Sequence, residues 1–423
     1  MEILIGAVLI KQNVNNYYMV LPWKKILMGI ILLLIVISLS YLLYIFFFKS
    51  EITTTPTTFI PSDTVLEPGQ LPEVVTRPTD QVSPDDTSFQ GLVPSKVARG
   101  GLTEVQKNTF SSSKGAMTSS QGLVFYDSSS GKFLKVLSNG QLAEYSDKVF
   151  HQVESITWDR NGSQAILEYP DGANILYDFQ EKKQITLPKE MREFTFSNDG
   201  NQIAAEVIGP NKENNWIVTA NSNGSNIRFI EQIGDRASDV NVDFSPNNQV
   251  VATFRDSYDA NRQEIIFIGQ NQENFKSFVP EGRGFEGVWT PNGTRMFYSV
   301  YSANTSFKPQ LWIVDAQGNN IGLNNTDLRL NTWAHKCTIN GSGGSAYCAV
   351  PRDLPTGSGW YPELANEVPD DFYLINLETG SYSLLAVPDS DTGYQAQNVM
   401  LSSDESTLYF TNSDNNVYSI DLP

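Results

Sequence analysis

Residues 242–254 read VDFSPNNQVVATF, and residues 288–300 read VWTPNGTRMFYSV. Each stretch opens on an apolar or aromatic residue, passes a small polar one and a Pro/Asn/Gly turn, and ends in a short apolar strand. Asn-Gly supplies the left-handed backbone of a tight turn, and the flanking alternation gives each strand one buried face. The unit is therefore a β-hairpin. It recurs as ITWDRNGSQAILEY (156–169), FTFSNDGNQIAAEV (194–207), KCTINGSGGSAYCAV (336–350) and VMLSSDESTLYFT (399–411). The anchor residues are Trp158, Phe196, Phe244, Trp289, Cys337 and Leu401, at intervals of 38, 48, 45, 48 and 64.

A second strand pair follows each hairpin, as in ANILYDFQEKKQITLP (173–188) and QLWIVDAQGNNIGL (310–323). Four short strands per unit make a propeller blade, and a blade cannot bury both faces alone, so several must pack around an axis. Residues 114–147 read as a degenerate first blade. The last unit, from Asn398 to Pro423, has only three strands, and GLTEVQK (101–107) can supply the fourth and close the ring. The fold expected is an all-β, seven-bladed propeller over 101–423. Six blades is the alternative if 114–147 is only a closing element.

The FSPNN, WTPNG, FSNDG and WDRNG motifs resemble the WD40-like "PD40" repeats of TolB-type propellers, in which [FW]SPDG precedes an apolar strand. The resemblance covers 114–423 and implies a propeller with a habit of binding proteins or peptides, but no particular partner. The eukaryotic-type WD40 repeat fits less well. Its Gly-His pair is absent, and Trp158-Asp159 precedes a hairpin turn instead of ending a third strand.

Ahead of the repeats, residues 26–48 run without charge or proline, a length that suits a bilayer-spanning helix. Lys11, Lys24 and Lys25 precede it, so the positive-inside bias puts residues 1–25 in the cytoplasm and everything beyond Phe48 outside. The run is too long for a cleaved signal peptide and ends in three phenylalanines, so a signal anchor is expected. A start at Met19 would place a short basic segment directly before that anchor. Residues 49–100 are rich in Pro, Thr, Ser and Asp and read as a flexible stalk.

The chain has 423 residues and a formal charge of −18, which disfavours nucleic acid as a partner. It contains two histidines and two cysteines, too few for most zinc, copper or iron–sulfur sites. HExxH, a P-loop, a dinucleotide fingerprint, an EF-hand loop and a Gly-x-Ser-x-Gly elbow are all absent. Ser197-Asn-Asp199-Gly200 approaches a sialidase Asp-box but lacks the spacer before Gly. No cofactor, metal or catalytic residue is expected.

Cys337 and Cys348 flank one turn and fall roughly opposite each other on a hairpin. An exported domain can keep a disulfide there, and two buried thiols are the other reading. Of six Asn-x-Ser/Thr sequons (Asn161, Asn223, Asn292, Asn304, Asn324, Asn340), four are Asn-Gly turns already explained by backbone geometry. The irregular insertion PRDLPTGSGWYPELANEVPDDF (351–372) lies between the second and third strands of the sixth blade. Long loops on rigid scaffolds carry recognition, and rigid aromatics anchor hot spots. Arg352, Trp360 and Tyr361 are the candidate contact residues, unless the rings fold back to cap neighbouring blades. The expected function is a non-enzymatic, extracytoplasmic scaffold for a protein, peptide or envelope polymer. The alternative is a glycan-acting hydrolase or lyase with paired carboxylates at the channel mouth.

Overall fold

The computed structural model describes residues 23–48, 93–137 and 139–423, which fall into two units, Met1–Asp86 and Thr87–Pro423. In the first, Trp23–Phe48 forms one helix, starting three residues before the uncharged run. Its described side chains cover 28–29 and 31–41, and among the described residues no helix is long and apolar enough to cross a membrane. Residues 1–22 and 49–92, with the start-site and most of the stalk expectations, lie outside the described residues.

The second unit is a ring of seven sheets, so the six-bladed alternative falls. The first strands of successive blades, such as Ser113–Ser119, Ser155–Trp158 and Met191–Phe196, pack on one another and line the axis. Second strands are buried on both faces between neighbouring blades, which is why they read as apolar runs (Ala165–Leu167 and Ile203–Ala205 are wholly inaccessible). Aromatic rings fill the wedges between blades. Phe133 meets Phe150, Trp158 and Phe179 edge-on at 4.9–5.5 Å.

Six hairpins share one turn. The residue after the anchor (Asp159, Ser197, Ser245, Thr290, Asn340 or Ser402) accepts through its side-chain oxygen the N–H five residues on. In four of them its hydroxyl also donates to the Asp or Asn two residues later. The residue three on is left-handed each time: Gly162, Gly200, Asn248, Gly293, Gly343 and Glu405. The small polar residue of the repeat is thus a turn cap. This geometry corrects the sixth anchor from Cys337 to Ile339, because Gly343, not Gly341, holds the left-handed position. The first blade lacks the motif because it turns in two residues between Ser119 and Gly122.

Ring closure is finer than GLTEVQK acting as one strand. Gln106–Lys107 pairs antiparallel with Val417–Asp421 and completes the seventh blade, whereas Gly101–Thr103 runs parallel to Tyr382–Pro388 and adds a fifth strand to the sixth. Residues 95–98, assigned to the stalk by composition, also belong to the ring. Ala98 is fully buried and its N–H donates to the Asp421 carbonyl at 2.9 Å. The fourth blade has three strands, its outer place taken by bridges from Asn274 and Phe278. In the fifth, residues 318–320 form a 3-10 turn and the fourth strand is only Thr326–Asp327, so the strand expected near 323 is absent.

Candidate binding face

In such blades the links between second and third strands share one end of the ring with the blade-to-blade links. The insertion lies at that end, between Ser345–Pro351 and Asp370–Asn376. Its neck is closed by the Pro351–Asp370 register pair and by the Arg352 N–H on the Pro369 carbonyl. Asp370 is fully buried and takes Lys336 Nζ at 2.7 Å on both oxygens, plus the Ala396 N–H at 2.7 Å. Burial pushes this carboxyl up, and Lys336 opposes the shift.

The tip docks on the loop between the second and third strands of the fifth blade. Gly357 N–H reaches the Ser306 carbonyl at 3.0 Å, and Gly359 N–H reaches that of Phe307 at 2.8 Å. Ser306 and Phe307 are consecutive left-handed residues (φ 54° each), a costly backbone that these bonds help to hold. A Cβ on Gly359 would sit 2.5 Å from the Tyr301 Cβ, so only glycine permits this approach.

Tyr301, Trp360 and Tyr361 then form a staircase of near-parallel rings. Trp360 lies 6.1 Å from Tyr301 at 19° and 6.1 Å from Tyr361 at 8°. Trp360 and Tyr361 are 57% and 54% exposed. The rings do lean on the neighbouring blade, as the capping alternative supposed, yet they stay open to solvent. Arg352 is not brought to them, since its guanidinium is engaged by Asp371 at 2.9 Å.

Beneath the staircase is a cavity of about 420 Å³, walled by Trp360, Trp333, Tyr301, Arg255, Glu286 and His335. One Glu286 oxygen lies 2.7 Å from His335 Nδ1 and accepts the His335 N–H at 2.9 Å. That fixes the imidazole and turns Nε2 away from the pair. Arg255 donates to the Ser238 and Phe285 carbonyls, its buried Nε has no partner, and no carboxylate among the described residues pairs with it. These side chains come from three blades and the links between them, so no local motif marks them. The one local hint was Trp333-Ala-His335-Lys336 just before the sixth hairpin.

Glu168 and Glu206 hold equivalent places in the second and third blades, ten residues after Trp158 and Phe196. Burial raises both carboxyls, with Glu193 adding repulsion to each and Arg192 opposing the shift at Glu206. Among the described residues no group of three or more His, Cys, Asp or Glu is placed to hold a metal.

Cys337 and Cys348 are register partners joined by a disulfide, with Cα atoms 4.1 Å apart. Both are buried, Cys337 on the channel-side first strand of the sixth blade and Cys348 on the second.

No family model matches the chain, and no curated protein matches it. Solved structures are similar in fold. An oligogalacturonate lyase from Vibrio parahaemolyticus is 12% identical, with a TM-score of 0.52 over 75% of this chain and 93% of that one. An oligogalacturonate lyase in complex with manganese gives 12% and 0.50 over the same shares. The Cps50 (Swd1) β-propeller domain of Myceliophteria thermophila gives 11% and 0.50, over 75% of this chain and all of that one. At such identities the likeness concerns fold alone.

Proposed function

We propose that the chain is a membrane-anchored, extracytoplasmic propeller that binds a protein, peptide or envelope polymer on its insertion face. The observation that carries this reading is the pair Trp360 and Tyr361, more than half exposed on a loop whose backbone is locked to the neighbouring blade. Exposed aromatics held rigid lose little entropy on binding and act as anchors. The TolB-type motif resemblance supports a binding role.

Residues 26–48 serve as the signal anchor in this reading. The 26-residue helix around them is about 39 Å long at 1.5 Å per residue, and Lys24 and Lys25 precede the apolar run. The Cys337–Cys348 bond suits an oxidising compartment outside the cytoplasm. Protease added to intact cells should digest the propeller; complete protection would refute the topology. Full chain carrying Arg352→Ala, Trp360→Ala and Tyr361→Ala should lose retention on the envelope fraction while keeping its melting temperature. Unchanged retention would remove the insertion from the account.

A glycan-acting hydrolase or lyase is the second reading. It is favoured by Glu168, a carboxyl that burial raises, with Glu193 and Glu154 adding repulsion, the direction a general acid needs. Cleavage of a polysaccharide by the wild type, abolished in Glu168→Gln, would establish it; no cleavage by the wild type would dismiss it.

A further inference from the structure

We infer that the cavity under Trp360 is a saccharide site, taking an uncharged, β-linked pyranose segment. The inference rests on the binding-face reading above and names the ligand class. A pyranose with equatorial substituents has a flat face of C–H groups carrying partial positive charge, and an aromatic face presents the complementary negative quadrupole. Tyr301 and Trp360 both wall the cavity, their rings near-parallel with centres 6.1 Å apart, and Trp360, more than half exposed, is the ring that meets the sugar. The rim of a pyranose carries vicinal hydroxyls, which need donors and acceptors side by side.

The cavity supplies both. The Arg255 guanidinium has five N–H donors and, among the described residues, two carbonyl partners. Glu286 fixes the His335 tautomer through Nδ1, leaving Nε2 to face a ligand hydroxyl. A volume of about 420 Å³ lies within the range of small-ligand sites, about 300–1,000 Å³. Arg255 and Glu286 balance each other in charge, so the site does not select an anion, and the chain's charge of −18 disfavours a polyanionic glycan.

A peptide fits the same place less well. Peptide grooves offer main-chain hydrogen bonds to an added strand. Here the amides of Gly357, Gly359, Trp360 and Tyr361 are already donated within the protein. What remains open is side-chain chemistry, the vocabulary of sugar hydroxyls.

The test titrates full chain in detergent micelles with cellohexaose, chitohexaose and decaproline, following tryptophan emission. Saturable binding of at least one hexasaccharide is expected below about 5 mM, with Trp360→Ala and Arg255→Gln each weakening it at least about tenfold, about 1.4 kcal/mol. Trp360→Tyr keeps a ring and retains binding, which separates loss of the platform from loss of folding. Tyr382→Ala, removing an exposed ring on the fourth strand of the sixth blade, leaves binding unchanged. Failure of both hexasaccharides to bind natively folded protein overturns the inference, as does binding that ignores Trp360 and Arg255. Decaproline binding that Trp360→Ala abolishes, with neither sugar bound, overturns it while leaving the binding face standing.

Discussion

Lys336 Nζ lies 2.7 Å from both carboxylate oxygens of Asp370, and the pair pins the neck of the insertion to the entry of the sixth blade. Asp370 is fully buried and Lys336 is 8% exposed, so neither charge can turn to water if its partner is lost. Asp370→Ala should destabilise the propeller by about 3–5 kcal/mol. Replacing both with apolar residues of similar volume, Lys336→Met with Asp370→Leu, should cost less than the single change. Denaturant unfolding of the three variants measures this; a double variant no better than Asp370→Ala would contradict it.

The disulfide closes a sequence separation of 11 residues within one hairpin. So short a loop removes modest entropy from the unfolded chain, about 2–3 kcal/mol. Cys337→Ser with Cys348→Ser should lower the melting temperature without unfolding the ring. Reductant should reproduce that drop in the wild type and leave the double variant unmoved.

The shared turn cap makes a sharper prediction. Ser245 is fully buried, and its hydroxyl accepts the Val250 N–H at 2.9 Å while donating to Asn247 Oδ1 at 2.7 Å. Ser245→Ala leaves a buried N–H without that acceptor and should cost about 1–3 kcal/mol. Ser245→Asp should cost less, because Asp159 performs the same task in the second blade. Equal losses from Ala and Asp would show that the oxygen is not what the repeat preserves.

Five of the six anchors were legible because six of the seven hairpins carry their own turn chemistry, which is local, and the seventh blade of the count came from the strand pattern of residues 114–147. The sixth anchor was misplaced because Asn340-Gly341 resembles the turn of Asn292-Gly293, while the left-handed residue is Gly343. The split of residues 101–107 between two blades was hidden, since a two-residue edge strand such as Gln106–Lys107 has no periodicity. Trp360 and Tyr361 stood out as aromatics in an irregular insertion. Arg255, Glu286 and Tyr301 did not, because their convergence depends on how separate blades are placed around the axis.

Asp243, directly after the first strand of the fourth blade (Val240–Val242), is pushed up to about 7 by burial. The accessible surface of this residue is intermediate, so contact with solvent softens the penalty. The folded state therefore holds a proton that the unfolded chain releases near its ordinary value of 3.8. Between those values the native form binds more protons, so its stability falls as pH rises from about 4 through about 7. Asp243→Asn should raise the melting temperature at about pH 8 and leave it unchanged at about pH 4. A gain confined to acid would reverse the sign and refute the assignment.

The claim that the insertion end of the ring is the binding face is tested most directly by a hydrogen-exchange footprint. Full chain in micelles is compared with and without saturating envelope fraction. The account predicts slowed exchange in 301–307, 333–336 and 357–366, with the opposite-end turns 197–201, 245–249 and 290–294 unaffected. Protection on those turns, with none on the insertion, would contradict it.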